Sequence, residues 1–152
     1  MELKDIVKEA VIINENATFR EALTAMVKQQ TNTLLVTDSE GLLVGEVGVS
    51  DLMDAIVPEY LDGDSIAANF ATEEMFEAAV QTAADKGVQD FMTVDIDPVH
   101  IDDGLVTVAA TAIAHQRARI PVIDHDNRPI GIISRRGLKQ LLGASLGIPN
   151  SK

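Results

Sequence analysis

Two apolar periods alternate along this chain, and the same succession of them occurs twice. Thr18-Phe19-Arg20-Glu21 has the form of a capping box. Phe19, Ala22, Leu23, Met26 and Val27 follow at i, i+3, i+4 spacing, which predicts an amphipathic helix over 18–30. Short apolar runs at 33–38 and 43–48, parted by a polar acidic turn, predict a pair of strands, and the runs at 119–124 and 129–133 predict another. Between these pairs, residues 105–115 (LVTVAATAIAH) form a helical stretch that is apolar nearly all round, so more than one of its sides needs a cover. Each half reads strand, helix, strand, strand, helix.

The halves also correspond residue by residue. Residues 34–45 read LLVTDSEGLLVG and residues 120–131 read IPVIDHDNRPIG, an offset of 86. The segments that follow, GEVGVSDLMDAI (45–56) and GIISRRGLKQLL (131–142), place Leu52, Ala55 and Ile56 against Leu138, Leu141 and Leu142. Gln30/Gln116, Val36/Val122, Asp38/Asp124, Gly45/Gly131 and Leu52/Leu138 are identical pairs. Upstream, Asp5-Ile6-Val7 echoes Asp90-Phe91-Met92 at an offset one residue shorter. The pattern predicts an α/β (α+β) chain of two tandem β-α-β-β-α subdomains related by a pseudo-twofold, with the functional surface between them. The expected divisions are a first subdomain at 1–57, a linker at 58–87, a second subdomain at 88–143 and a tail at 144–152. In the linker Pro58 ends a helix, DGDS (62–65) is a loop, and Thr72-Glu73-Glu74 caps an alanine-rich helix reaching Lys86. The closing GASLGIPNSK reads as a fraying tail.

Composition narrows the class. At 152 residues and 46% hydrophobic, the chain can bury enough surface for one unit of two subdomains. No apolar run approaches the ~18 residues of a membrane span, and no signal peptide opens the chain. The absence of cysteine suits a cytoplasmic protein. Residues 1–87 hold 5 Lys+Arg against 17 Asp+Glu, whereas residues 88–152 hold 7 of each. So acidic a surface repels nucleic acid and anionic lipid, which makes both poor partners.

DFMT (90–93), RIPVID (119–124) and GIISRRGL (131–138), with their degenerate partners in the first half, resemble the cystathionine-β-synthase (CBS) domain pair, or Bateman module. The resemblance runs from about Leu3 to Leu142. It implies two CBS subdomains, a homodimer formed through paired helices, and clefts that take AMP, ADP, ATP or S-adenosylmethionine as regulatory ligands. It also implies a regulated protein as partner. The ligand signature of the family is a glycine, two apolar residues, Ser or Thr, two variable residues and an Asp that holds the ribose hydroxyls. A carboxylate can accept two hydrogen bonds from a vicinal diol, and the first turn of a helix favours its charge. The first copy, GEVGVSD, keeps Asp51 but has Gly48 at the hydroxyl position; the second, GIISRRG, keeps Ser134 but has Gly137 at the acid position. One nucleotide site is therefore expected, with Asp51 on the ribose.

Arg117, Arg119, Arg128, Arg135, Arg136 and Lys139 make a basic patch opposed only by Asp124 and Asp126. The resemblance implies Arg119, Ser134, Arg135 and Arg136 as phosphate contacts, since relatives often contact phosphate from the Arg119 position and with the signature Ser/Thr. The chemistry agrees, because guanidinium groups bind phosphate bidentately and a helix N-terminus adds oriented N–H groups. The plainer alternatives are a helix-start acid for Asp51 and solvated surface charges for Arg117, Arg128 and Lys139, a reading that stays open for Arg119 and Arg136 as well. Asp124-His125-Asp126-Asn127 reads as a polar hairpin turn in preference to a metal site, and His100 and His115 lack partners at ligand spacing. No metal is expected. Neither a dinucleotide fingerprint nor a P-loop occurs, and no nucleophile–base pairing is legible, so catalysis is not expected. The reading that results is a cytoplasmic sensor of an adenine nucleotide or related adenosyl ligand. A ligand-free dimerisation or docking scaffold with decayed sites is the alternative, and the missing hydroxyl and missing acid speak for it.

Overall fold

The computed structural model describes residues 2–57, 72–115 and 119–149. Its strands are β1 (Val7–Lys8), β2 (Val11–Asn14), β3 (Thr33–Thr37), β4 (Leu43–Gly48), β5 (Val99–His100), β6 (Arg119–Ile123) and β7 (Pro129–Ser134). Its helices are α1 (Phe19–Gln29), α2 (Val49–Ala55), α3 (Glu73–Ala83), α4 (Leu105–His115) and α5 (Arg135–Ser145), with 3-10 turns at Leu3–Asp5 and Val88–Asp90. Both copies carry the β-α-β-β-α order expected of them. The end of a helix at Pro58 and the loop 62–65 fall outside the described residues, as does Arg117.

Two compact units result, and each takes in a piece of the other repeat's sequence. The first-repeat unit comprises residues 11–39 and 44–94. Its sheet has the order β2-β3-β4, with β2 parallel to β3 in the register Val11↔Leu34 to Asn14↔Thr37. The capping box forms as expected: the Glu21 N–H donates to Thr18 Oγ1 and the Thr18 N–H to Glu21 Oε1, both at 3.2 Å. That start places Phe19, Ala22 and Met26 on one stripe, buried with Leu34, Val36, Val47, Leu52 and Val88. Phe91 meets Phe19 edge-on at 5.8 Å between ring centroids. The Val88–Asp90 turn, which opens the second repeat in sequence, thus completes the core of the first-repeat unit.

The second-repeat unit comprises residues 1–10, 40–43 and 95–152. Its sheet has the order β1-β7-β6-β5, with β5 parallel to β6 and β7 antiparallel to both β6 and β1. Leu3 and Ile6 from the N-terminal segment are buried with Val99, Val108, Ile120, Val122, Ile133 and Leu141. The sequence echo of residues 5–7 at 90–92 is therefore structural: each segment ends a 3-10 turn that plugs a core. Residues 40–43 are held by hydrogen bonds from the Leu43 N–H to the Asn127 carbonyl (3.0 Å) and from Arg128 Nη1 to the Glu40 carbonyl (2.9 Å).

Two local readings change. The alanine-rich helix α3 closes at Ala83, short of Lys86, whose ammonium instead donates to the Ala55 carbonyl at 2.6 Å. Residues 144–148 do not fray: α5 runs to Ser145, and a left-handed Gly147 lets the Ile148 N–H return to the Gly143 carbonyl at 2.9 Å. Among the described residues the apolar helix α4 has a covered side at Val108, while Val106 and Ile113 are exposed at 83% and 77%. Among the described residues no helix is long and apolar enough to cross a membrane.

Candidate functional site

In the first-repeat unit, β4 runs directly into α2 through Gly48, and Asp51 is the third residue of that helix. Its half-buried carboxylate is gripped from two directions. Oδ2 accepts the Gly48 N–H at 2.7 Å, which is the helix-capping interaction; Oδ1 accepts the Thr93 hydroxyl at 2.8 Å. Each oxygen keeps a further acceptor position, so the group is fixed in orientation and still able to accept two hydrogen bonds. Thr93, the last residue of DFMT (90–93), is a neighbour of Asp51 that sequence reasoning misses. It is delivered by a backbone bridge in which Glu46 and Thr93 exchange N–H···O bonds of 3.0 and 2.8 Å.

That bridge explains the signature glycine. A Cβ at Gly45 would lie 2.9 Å from both the Thr93 carbonyl and the Met92 sulfur, so only glycine permits the approach. Gly48, by contrast, has ordinary room. A Cβ there would meet nothing nearer than 3.8 Å, so the family's hydroxyl is missing from a place that could hold it.

In the second-repeat unit the expected phosphate residues assemble at one end of the sheet. Arg119 opens β6 and stands opposite Ser134, the last residue of β7, in the antiparallel register. Ser134 is also the N-cap of α5, its Oγ accepting the Gly137 N–H at 3.3 Å. Arg135 and Arg136 follow as the first, exposed turn of that helix, while Arg119 is half-buried. The structure thus brings Arg119, Ser134, Arg135 and Arg136 together, and Asp51 belongs to the other unit. Arg128 is a hairpin clamp on Glu40 and Lys139 is exposed.

The turn at 124–127 is the polar hairpin its composition suggests. Asp124 Oδ1 accepts the N–H groups of Asp126 (2.8 Å) and Arg128 (3.0 Å), with Asn127 left-handed. The Arg128 N–H leads in holding the Asp124 carboxyl below its usual range; the Asp126 N–H and the charges of Arg128 and His125 add to it. His125 Nε2 meets Asp102 Oδ2 at 2.5 Å, and its ring stacks on His100 with centroids 6.4 Å apart, a pairing that sequence spacing gave no sign of. Among the described residues no three His, Asp or Glu side chains converge on a metal position. A shallow cleft of about 440 Å³ lies against residues 2–4 and 101–105 and contains none of the expected site residues.

Known proteins extend this picture. The chain is 26% identical to the protein MJ1426 of Methanocaldococcus jannaschii, over 93% of this chain and 91% of that one. It is 22% identical to an L-aspartate semialdehyde sulfurtransferase of the same organism, matching only 23% of that longer protein. Its fold is similar to the CBS domain pair of protein MJ0100, solved in complex with 5′-methylthioadenosine and S-adenosyl-L-methionine. The TM-score is 0.67 at 23% identity, covering 94% of this chain and 100% of that one. The CBS domain family matches residues 3–58 and again 88–144, so the chain belongs to the CBS domain family as a tandem pair.

Proposed function

We propose that this CBS pair is a regulatory module that binds an adenosyl ligand, with Asp51 accepting the ribose diol and Arg119, Arg136 and Arg135 taking the phosphates of a nucleotide. The observation that carries the reading is the Asp51 carboxylate, oriented by Gly48 and Thr93 with one acceptor position left on each oxygen. The ligands in the MJ0100 pair support the adenosyl class. The arginine cluster favours a phosphorylated member of it, such as AMP, ADP or ATP, over S-adenosylmethionine. The module is proposed to be non-catalytic and homodimeric, with α4 and α1 at the subunit contact, because Val106, Ile113, Leu23 and Val27 are exposed on them. It would act on a separate regulated protein, in the cytoplasm.

Calorimetry with adenosine and ATP tests this. Asp51→Ala should weaken both ligands, since both carry the diol. Arg119→Ala or Arg136→Ala should weaken ATP by roughly 1–3 kcal/mol, the range of a charge-assisted hydrogen bond, and leave adenosine nearly unchanged. Equal losses for both ligands in the arginine variants would assign those residues to the fold. One observation favours a scaffold without ligand: Asp51 already has two partners inside its own unit and serves the helix start without any third. Failure of the parent to bind either ligand at millimolar concentration would select that reading.

A further inference from the structure

We propose that Thr93 is the positioning residue that gives Asp51 its selectivity for a ribose diol, an inference that rests on the reading of Asp51 as the ribose acceptor. The internal repeat supplies the comparison. At the offsets of 85 and 86 residues already noted, Thr93 corresponds to Lys8, Glu46 to Ile132, Gly45 to Gly131 and Asp51 to Gly137.

The backbone framework is the same in both copies. Thr93 bridges Glu46 in the first-repeat unit; Lys8 pairs with Ile132 in the second. A Cβ on Gly45 would collide with the Thr93 carbonyl, and one on Gly131 would collide with the Lys8 carbonyl. The side-chain pair is not the same. Thr93 and Asp51 are joined by a 2.8 Å hydrogen bond in one unit, and both are replaced, by Lys8 and Gly137, in the other.

A bond required for folding would be needed wherever the framework forms. Here the second-repeat unit builds that framework without it. The pair occurs or is missing as a whole, and it occurs where the acid that can read a ribose stands. The physical role follows from rotation. Gly48 holds one oxygen of Asp51, but a carboxylate held at one oxygen still pivots about that contact. Thr93, β-branched and anchored by its backbone bridge, holds the other oxygen and stops the pivot. The two free acceptor positions then stay at the spacing of adjacent hydroxyls. Losing one of two simultaneous hydrogen bonds is what separates a ribonucleoside from its deoxy analogue.

The test uses adenosine and 2′-deoxyadenosine as probes on the full chain, by calorimetry, with Thr93→Val and Thr93→Ser. The parent should prefer adenosine. Thr93→Val, which keeps the shape and removes the donor, should weaken adenosine by up to about tenfold, the loss expected for one hydrogen bond. It should scarcely change 2′-deoxyadenosine, so the preference collapses, and Thr93→Ser should restore it. An equal loss for both nucleosides in Thr93→Val, or an unchanged preference, would overturn the positioning role while leaving Asp51 as the ribose group. A parent that binds adenosine with no preference over its deoxy analogue would overturn both. Thermal midpoints of Thr93→Ser and Thr93→Val within a few degrees of each other exclude misfolding as the cause of a difference between them.

Discussion

Substituting Gly131 by alanine isolates the contact by which the N-terminal segment joins the second-repeat unit. The added Cβ would overlap the Lys8 carbonyl and lie 2.7 Å from Val7 Cγ1, so the obstruction includes backbone and cannot be relieved by a rotamer change. Two responses are open. β1 and β7 can part by a fraction of an ångström, an overpacking cost of about 1–3 kcal/mol. Alternatively the segment can peel away, which would expose Leu3 and Ile6, now 4% and 3% accessible. At about 1.5–3 kcal/mol for each buried side chain, that route costs roughly 3–6 kcal/mol before any ladder bond is counted. The smaller cost wins, so Gly131→Ala should lower stability by about 1–3 kcal/mol with an unchanged urea m-value. Gly104→Ala is the control, since nothing lies within 4 Å of its added Cβ. It should cost no more than about 1 kcal/mol, the preference for glycine over alanine at the N-cap of α4. Urea unfolding followed by circular dichroism measures both, and trypsin cleavage after Lys4 and Lys8 reports the segment directly. A Gly131→Ala protein as stable as the control would refute the close approach. A lower m-value with rapid cleavage would show that the segment detaches instead.

Two further outcomes are expected. Light scattering at micromolar concentration should give about twice the 16.3 kDa chain mass for the parent and a single chain mass for Ile113→Glu, and a monomeric parent would remove the proposed dimer. Asp124, whose carboxyl is held below its usual range, should stabilise the fold fully above the ordinary carboxylate pKa of about 3.9 and lose that contribution as pH falls through and below it. The gap in urea midpoint between the parent and Asp124→Asn should therefore be constant near neutrality and shrink in acid; a gap that widens on acidification would reverse the assigned sign.

What the sequence made legible is what local chemistry determines. The capping box at Thr18 and Glu21 needs four consecutive residues, and the strand pairs around the two polar turns need about a dozen, so periodicity and turn chemistry located both. The clustering of Arg119 with Ser134, Arg135 and Arg136 was also within reach, because one hairpin and the helix after it bring them together. The grip on Asp51 was not, since Thr93 lies 42 residues away and nothing in either segment names the other. The pairing of His125 with Asp102, across 23 residues, was hidden for the same reason. A signal for Thr93 did exist: the echo between residues 5–7 and 90–92 continues one step to Lys8 and Thr93, where the residue class changes. The helix α4 and its buried side were legible too. Its all-round apolarity called for cover by the core and by another subunit; the core covers Val108, and Val106 and Ile113 stay exposed among the described residues.

The difference between the two copies is steric as well as chemical. Gly137 is buried, and a Cβ there would sit 3.1 Å from the Ile6 carbonyl and 3.3 Å from Ile6 Cβ, both on the N-terminal segment. An aspartate at 137 would therefore press on the same segment whose Leu3 and Ile6 fill the core of that unit. At Asp51 the corresponding space is open enough for a carboxylate to turn back to its own helix start and also meet a hydroxyl. The second copy has used the room near its helix start for close packing, and has kept at the surface the charges of Arg135 and Arg136 beside the Ser134 cap. One copy retains an acceptor pair and the other retains donors. The two helix starts therefore differ in charge as well as in space, an oriented carboxylate at α2 and a hydroxyl cap with two exposed guanidinium groups at α5.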